Sequence, residues 1–143
     1  MGTTRVVLDQ VNLVVRDMQR SADFYRRLGV AGEGGDPSWS MHHRSGHSTD
    51  GGASFDLDSL PFAAQWGRVG QPGPVLGFRV PAREDVDRLY AELTAAGHPG
   101  QQPPFDAFWG SRFAVVQDPD GNLVSLMSPS EAAHRTRPPA PPK

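Results

Sequence analysis

An α+β fold of two β-α-β-β-β modules is predicted for this 143-residue chain, on three observations. An alternating strand, Gln10-Val-Asn-Leu-Val-Val15, precedes an amphipathic helix that stops at Gly29; a second strand, Val75-Leu-Gly-Phe-Arg-Val80, precedes one that stops at Gly97. The strand ends Val15 and Val80 lie 65 positions apart and the stopping glycines 68 apart, so one unit occurs twice. Each helix is followed by stretches that read as three short strands. Two such modules are expected to form a half-barrel whose cleft is lined by every second strand residue.

The elements follow in order. The first strand is predicted over 6–15, with Val11, Leu13 and Val15 on one face and Gln10, Asn12 and Val14 on the other. Asp17 is a candidate helix cap, and the helix to Leu28 carries a buried stripe of Ala22, Tyr25, Phe24 and Leu28. Short strands fit 30–33, 39–43 and 53–58. The polar, glycine-rich stretch 44–52 reads as an exposed mobile loop, 61–66 as a helical turn or two, and 67–74 as a linker. In the second copy, a strand over 75–80 leads to a helix over 83–96 with Val86, Leu89, Tyr90 and Leu93 buried. A short strand over 98–102, an aromatic loop over 103–110 and a hairpin of 112–117 with 122–127 follow. The hairpin turns at Asp118-Pro-Asp-Gly121, where proline fixes one φ and glycine supplies a positive one. The modules are therefore placed at 1–66 and 75–128, with a proline-rich, disordered tail over 129–143.

Composition narrows the function. The chain has no cysteine, which removes disulfides, thiolate metal sites and cysteine nucleophiles. Its net charge of −2, with no basic stripe, speaks against nucleic acid as a partner. No apolar run is long enough to span a bilayer and no signal-peptide pattern opens the chain, so a cytoplasmic protein without a membrane partner is expected. No Ser-His-Asp order, Walker loop or dinucleotide fingerprint occurs.

Three stretches carry a resemblance: 10–29, 76–80 with its following helix, and Phe108-Trp-Gly-Ser-Arg-Phe-Ala-Val-Val-Gln-Asp-Pro-Asp-Gly-Asn-Leu-Val-Ser-Leu126. In this order and spacing they resemble the vicinal oxygen chelate superfamily, which includes glyoxalase I, extradiol dioxygenases, and bleomycin- and fosfomycin-resistance proteins. The resemblance implies small-molecule chemistry or binding on the concave face, often in a homodimer. In metal-dependent members a divalent ion is held at positions that fall here on Gln10, at or beside Val75, on Ser125 and near Asp56. Valine cannot ligate and serine is a poor neutral ligand, so the ligand set is incomplete and no metal or other cofactor is assigned.

The reading reached is a glyoxalase- or bleomycin-resistance-like protein that binds a hydrophobic or aromatic small molecule without metal, with drug sequestration as one use. Its cleft floor would be Gln10, Asn12, Asp56, Arg79, Ser125 and Met127, and its walls Trp39, Phe108, Trp109 and Arg112. The alternative is a lyase, isomerase or dioxygenase of the same superfamily, metal-dependent or using Asp56 as a metal-free base. Asp56 is equally a candidate for an ion pair with Arg79 or Arg112. His42, His43 and His47 are read as solvated; His42 and His43 point to opposite faces of a strand and cannot share an ion, and His43 lines the cleft with Trp39 only if that face is inward.

Overall fold

The computed structural model describes residues 5–48 and 53–142. Contacts divide the chain into two compact units, one built on Asp9–Val75 and the other on Leu76–Ala140. Each has the predicted β-α-β-β-β order, so the α+β class holds.

In the first module β1 (Val7–Val15), α1 (Met18–Arg26), β2 (Val30–Gly34), β3 (His43–Ser48) and β4 (Ser54–Ser59) follow one another, and the strands lie in the order β2-β3-β4-β1. β1 runs parallel to β4, while β3 is antiparallel to β4 and to β2. Alternation sorts the faces as the sequence predicts. Leu13, Val15, Phe55 and Leu57 pack under α1 against Met18, Ala22 and Tyr25. Asp17 caps α1 by accepting from the Arg20 N–H at 3.0 Å. Gly29 closes the following turn at φ 88°, where only glycine is free of strain.

Two expectations on α1 are corrected. Phe24 and Leu28 are 57% and 67% exposed. The stripe runs Met18, Ala22, Tyr25; Phe24 lies about 200° around the helix from Ala22, and Leu28 falls beyond the helix end at Arg26.

The next correction moves a strand. Pro37–Trp39 is a short 3₁₀ turn capped by Asp36, and the strand predicted to end at His43 begins there. Arg44–Ser48, read as loop, is part of a strand flanked by β2 and β4, and His47 with it stands opposite Ala31. A strand paired on both edges satisfies its backbone from its neighbours, so a polar, glycine-bearing sequence is tolerated there. Residues 49–52, the rest of that predicted loop, lie outside the described residues. After β4, Ser59 caps α2 (Leu60–Trp66), its hydroxyl accepting from the Phe62 N–H at 3.2 Å. The segment that follows is pinned by Arg68, whose guanidinium donates to the carbonyls of Gln71, Pro72 and Pro74.

The second module contains β5 (Gly73–Arg79), α3 (Arg83–Ala95), β6 (Gly100–Asp106), β7 (Arg112–Gln117) and β8 (Leu123–Met127), in the order β5-β8-β7-β6. Val80, Val86, Ala114 and Leu126 form its core, with Phe78, Leu89, Tyr90 and Leu93 packed on them. The predicted aromatic loop begins later than expected, because β6 runs through Pro103 and Pro104. It is the last strand in the order and its register is irregular, and an edge strand tolerates residues that lack an N–H. The hairpin turn is held by Asp118, whose Oδ1 accepts from the N–H groups of Asp120 and Asn122. Past β8, where a disordered tail is expected, Ala132–His134 forms a 3₁₀ turn. Glu131 and Thr136 donate their N–H groups to the carbonyls of Gly110 and Phe108. Gly110 permits this approach: it sits at φ 99°, and a Cβ there would meet the Glu131 carbonyl oxygen at 2.6 Å. No helix among the described residues is long and apolar enough to cross a membrane.

Candidate active site on the first module

The face of the first sheet opposite α1 is polar because of its register. Asn12 stands opposite Asp56, Val14 opposite Asp58, and Asp58 opposite His43. Side chains of one parity therefore gather from three strands: Gln10 and Asn12 from β1, His43 from β3, Asp56 and Asp58 from β4.

Asp58 is the centre of the cluster and is 2% exposed. Its Oδ1 lies 2.5 Å from His43 Nδ1, and its Oδ2 accepts from Asn12 Nδ2 at 3.1 Å and from the Trp66 indole N–H at 2.9 Å. Three donors on two oxygens make burial of this carboxylate tolerable. Trp66 is itself 3% exposed, so α2 serves as a rigid strut that carries one of these donors.

The bond to Asp58 also fixes His43. With Nδ1 donating to the carboxylate, Nε2 is the free acceptor of the neutral ring, and among the described residues it has no hydrogen-bond partner. The side chain is 31% exposed and meets Phe62 edge-on at 5.8 Å. Burial pulls the imidazole down, but the Asp58 hydrogen bond and the charges of Asp58 and Asp56 outweigh it, and His43 titrates above its ordinary value. His42 turns the other way, to the Ser59 hydroxyl at 2.7 Å.

Asp56 accepts from Gln10 Nε2 at 2.5 Å. Burial pushes its carboxyl up to about 6; His43 and the Gly46 N–H pull it down, while Asp58 and Asp9 push it further up. Asn12 Oδ1 is buried with no hydrogen-bond partner beside this pair of acids. The face thus holds a carboxyl raised to about 6 and an imidazole raised above its ordinary value, the latter with a free ring nitrogen.

The other sequence candidates lie elsewhere. Trp39 is 5% exposed and packs edge-on to Phe62 at 5.0 Å, as a core residue of the first module. Arg112 donates to Asp87 and Asp106, so its charge is met inside the second module. Phe108, Trp109 and Phe113 form a row of edge-to-face rings at 5.3 and 5.5 Å, and Phe105 extends it at 5.9 Å. Met127 and Ser125 stand on β8 opposite Phe113 and Val115, and Arg79 closes β5. Sequence reasoning brought Gln10, Asn12 and Asp56 together correctly on one face. It offered His43 to the cleft only alongside Trp39 and did not join it to Asp58 or Trp66; the available signal was the shared parity of Asp56 and Asp58, combined with a histidine entering the neighbouring strand.

Residues 7–126 match the family described as the Glyoxalase/Bleomycin resistance protein/Dioxygenase superfamily. The chain belongs to this superfamily. Solved structures of the superfamily's fold agree. The chain is similar to the Mn(II)-bound glyoxalase of Novosphingobium aromaticivorans (22% identity, 96% of this chain and 44% of that one, TM-score 0.62). It is also similar to the methylmalonyl-CoA epimerase of Mycobacterium tuberculosis (19% identity, 88% and 89% covered, TM-score 0.59). A Legionella pneumophila protein described as an NAD-dependent benzaldehyde dehydrogenase is likewise similar (19% identity, 83% and 96% covered, TM-score 0.64). At these identities the likeness shows the fold alone. No curated protein matches the chain in sequence.

The superfamily's metal-dependent members raise the question of an ion here, and the residues present do not fit one. Gln10 and Asp56 are bonded to each other, Val75 is 1% exposed and offers only carbon, and Ser125 offers one neutral hydroxyl. Both oxygens of Asp58 are already used. Among the described residues no three His, Asp or Glu side chains are grouped to hold an ion.

Proposed function

We propose that the polar face of the first module carries out metal-independent proton transfer on a small molecule, as an isomerase or lyase does. The observation that carries this reading is the uncommitted Nε2 of an imidazole whose Nδ1 is held 2.5 Å from a buried carboxylate. In the proposed cycle Nε2 removes a proton from a carbon next to a substrate carbonyl. Asp58 stabilises the imidazolium that forms, without itself taking the proton. Asp56, protonated below about pH 6 and held by Gln10, is the second group able to give or take a proton. The amide of Asn12 donates to Asp58 and so helps hold the carboxylate that orients the imidazole. The fold also serves a glyoxalase and an epimerase, so this chemistry suits the scaffold, although the scaffold does not dictate it.

A second reading, sequestration of an aromatic molecule by a homodimer, draws on the ring row Phe105, Phe113, Trp109 and Phe108. Deuterium uptake separates the two. A panel of small ketones, hydroxyketones and thioesters is incubated with the chain in D₂O and followed by proton NMR. The acid–base reading expects exchange at the carbon next to the carbonyl, slowed about 100-fold or more in His43→Gln. Equal exchange with His43→Gln would remove His43 as the base, and aromatic ligands that bind while no panel member exchanges would favour sequestration.

A further inference from the structure

On the helix side of the first sheet, where β1 ends and α1 begins, lies an open depression of about 580 Å³. Leu13, Val15, Phe24, Tyr25, Pro72 and Gly73 are among the residues that line it. Arg16 and Arg20, both exposed, also line it. We propose that this depression is a second binding site, for a small aromatic anion, with the ring against Phe24 and Tyr25 and the anionic group between the two guanidinium groups.

Five features point to that ligand. The volume lies in the range of small-molecule pockets. Among the described residues neither Arg16 nor Arg20 has a side-chain partner, as is also true of Arg5, Arg27 and Arg137, whereas Arg26, Arg44, Arg68, Arg83, Arg88 and Arg112 are engaged by carboxylates, carbonyls or amides. The one acid in the lining, Asp17, has its Oδ1 directed onto the Arg20 N–H as the helix cap. Phe24 is 57% exposed, yet its ring is set edge-on to Tyr25 at 5.0 Å, and Tyr25 is backed by Phe55 at 4.8 Å. Arg20 and Phe24, four apart on α1, lie on one helix edge, so a charge and an aromatic surface sit one turn from each other. An arginine pair matches the oxygens of a carboxylate or phosphate, and an exposed ring backed by a second one offers a fixed stacking surface.

The test is an NMR titration of the ¹⁵N-labelled full chain with 2-naphthoate, 2-naphthyl phosphate and the neutral 2-naphthalenemethanol. Saturable amide shifts confined to 13–25 and 72–73 are expected for the anions, and the tighter of the two tells whether carboxylate or phosphate is the natural group. Arg16→Ala with Arg20→Ala, and separately Phe24→Ala, should raise Kd about tenfold or more. Arg26→Ala with Arg27→Ala, which removes equal charge at the other end of α1, should leave it unchanged. All five side chains are exposed, and a melting curve for each variant verifies the fold. The proposal is overturned if the neutral alcohol binds as well as the anions, if shifts fall elsewhere or fail to saturate, or if both arginine pairs matter equally. None of these outcomes bears on proton transfer at His43.

Discussion

Asp58→Ala is expected to destabilise the chain by about 3–5 kcal/mol, read as a fall in the urea midpoint at neutral pH. The magnitude follows from what the substitution leaves behind. The Trp66 indole N–H, 3% exposed, and the Asn12 amide lose their acceptor in a place water does not reach freely, and His43 loses the group that orients it. Each stranded donor costs about 1–3 kcal/mol. Asp58→Asn should cost less, because its carbonyl oxygen still accepts from one or two of the three donors. A loss below about 1 kcal/mol for the alanine variant would mean that the cluster does not hold the module together.

The second large effect is on the pH dependence of stability. Asp56 titrates at about 6 in the folded chain against 3.8 for an ordinary side chain. A carboxyl whose folded value is raised binds its proton more tightly folded than unfolded. It therefore withdraws stability as pH rises from about 4 to 6, and the full cost is present above that window. The shift corresponds to about 2–3 kcal/mol, at 1.36 kcal/mol per unit. His43 acts in the same direction: its raised value contributes stability that is whole below its ordinary 6.5 and is lost as pH rises through its folded value. Asp56→Asn keeps an acceptor for Gln10 and removes the buried charge. The variant should match the wild type near pH 4 and exceed it by about 2 kcal/mol above pH 7. Equal or lower stability of this variant at pH 7.5 would show that Asp56 carries no such cost.

The fold was legible wherever burial imposes a period. β1 alternates cleanly, Asp17 and Gly29 bracket α1, and the stripe Val86, Leu89, Tyr90, Leu93 marks α3. It was not legible where pairing overrides composition. Arg44-Ser45-Gly46-His47-Ser48 has no apolar period and becomes a strand only because β2 and β4 flank it. Pro103 and Pro104 lie in a strand only because that strand is at an edge. The candidate site divides along the same line. Gln10, Asn12 and Asp56 follow from parity within β1 and β4. Parity within β4 puts Asp58 beside Asp56, but the pairing of His43 with Asp58 depends on the β3–β4 register and the Trp66 bond on how α2 folds back, so neither bond can be read from one element's sequence.

The most direct test of the acid–base account is a side-chain pH titration of the full chain by ¹³C and ¹⁵N NMR, following the Asp56 carboxyl and both nitrogens of His43. The account predicts a carboxyl midpoint of about 6 and an imidazole midpoint above 6.5, with the neutral ring protonated at Nδ1. A carboxyl midpoint near 3.8, an imidazole midpoint at or below 6.5, or a neutral ring protonated at Nε2 would contradict it.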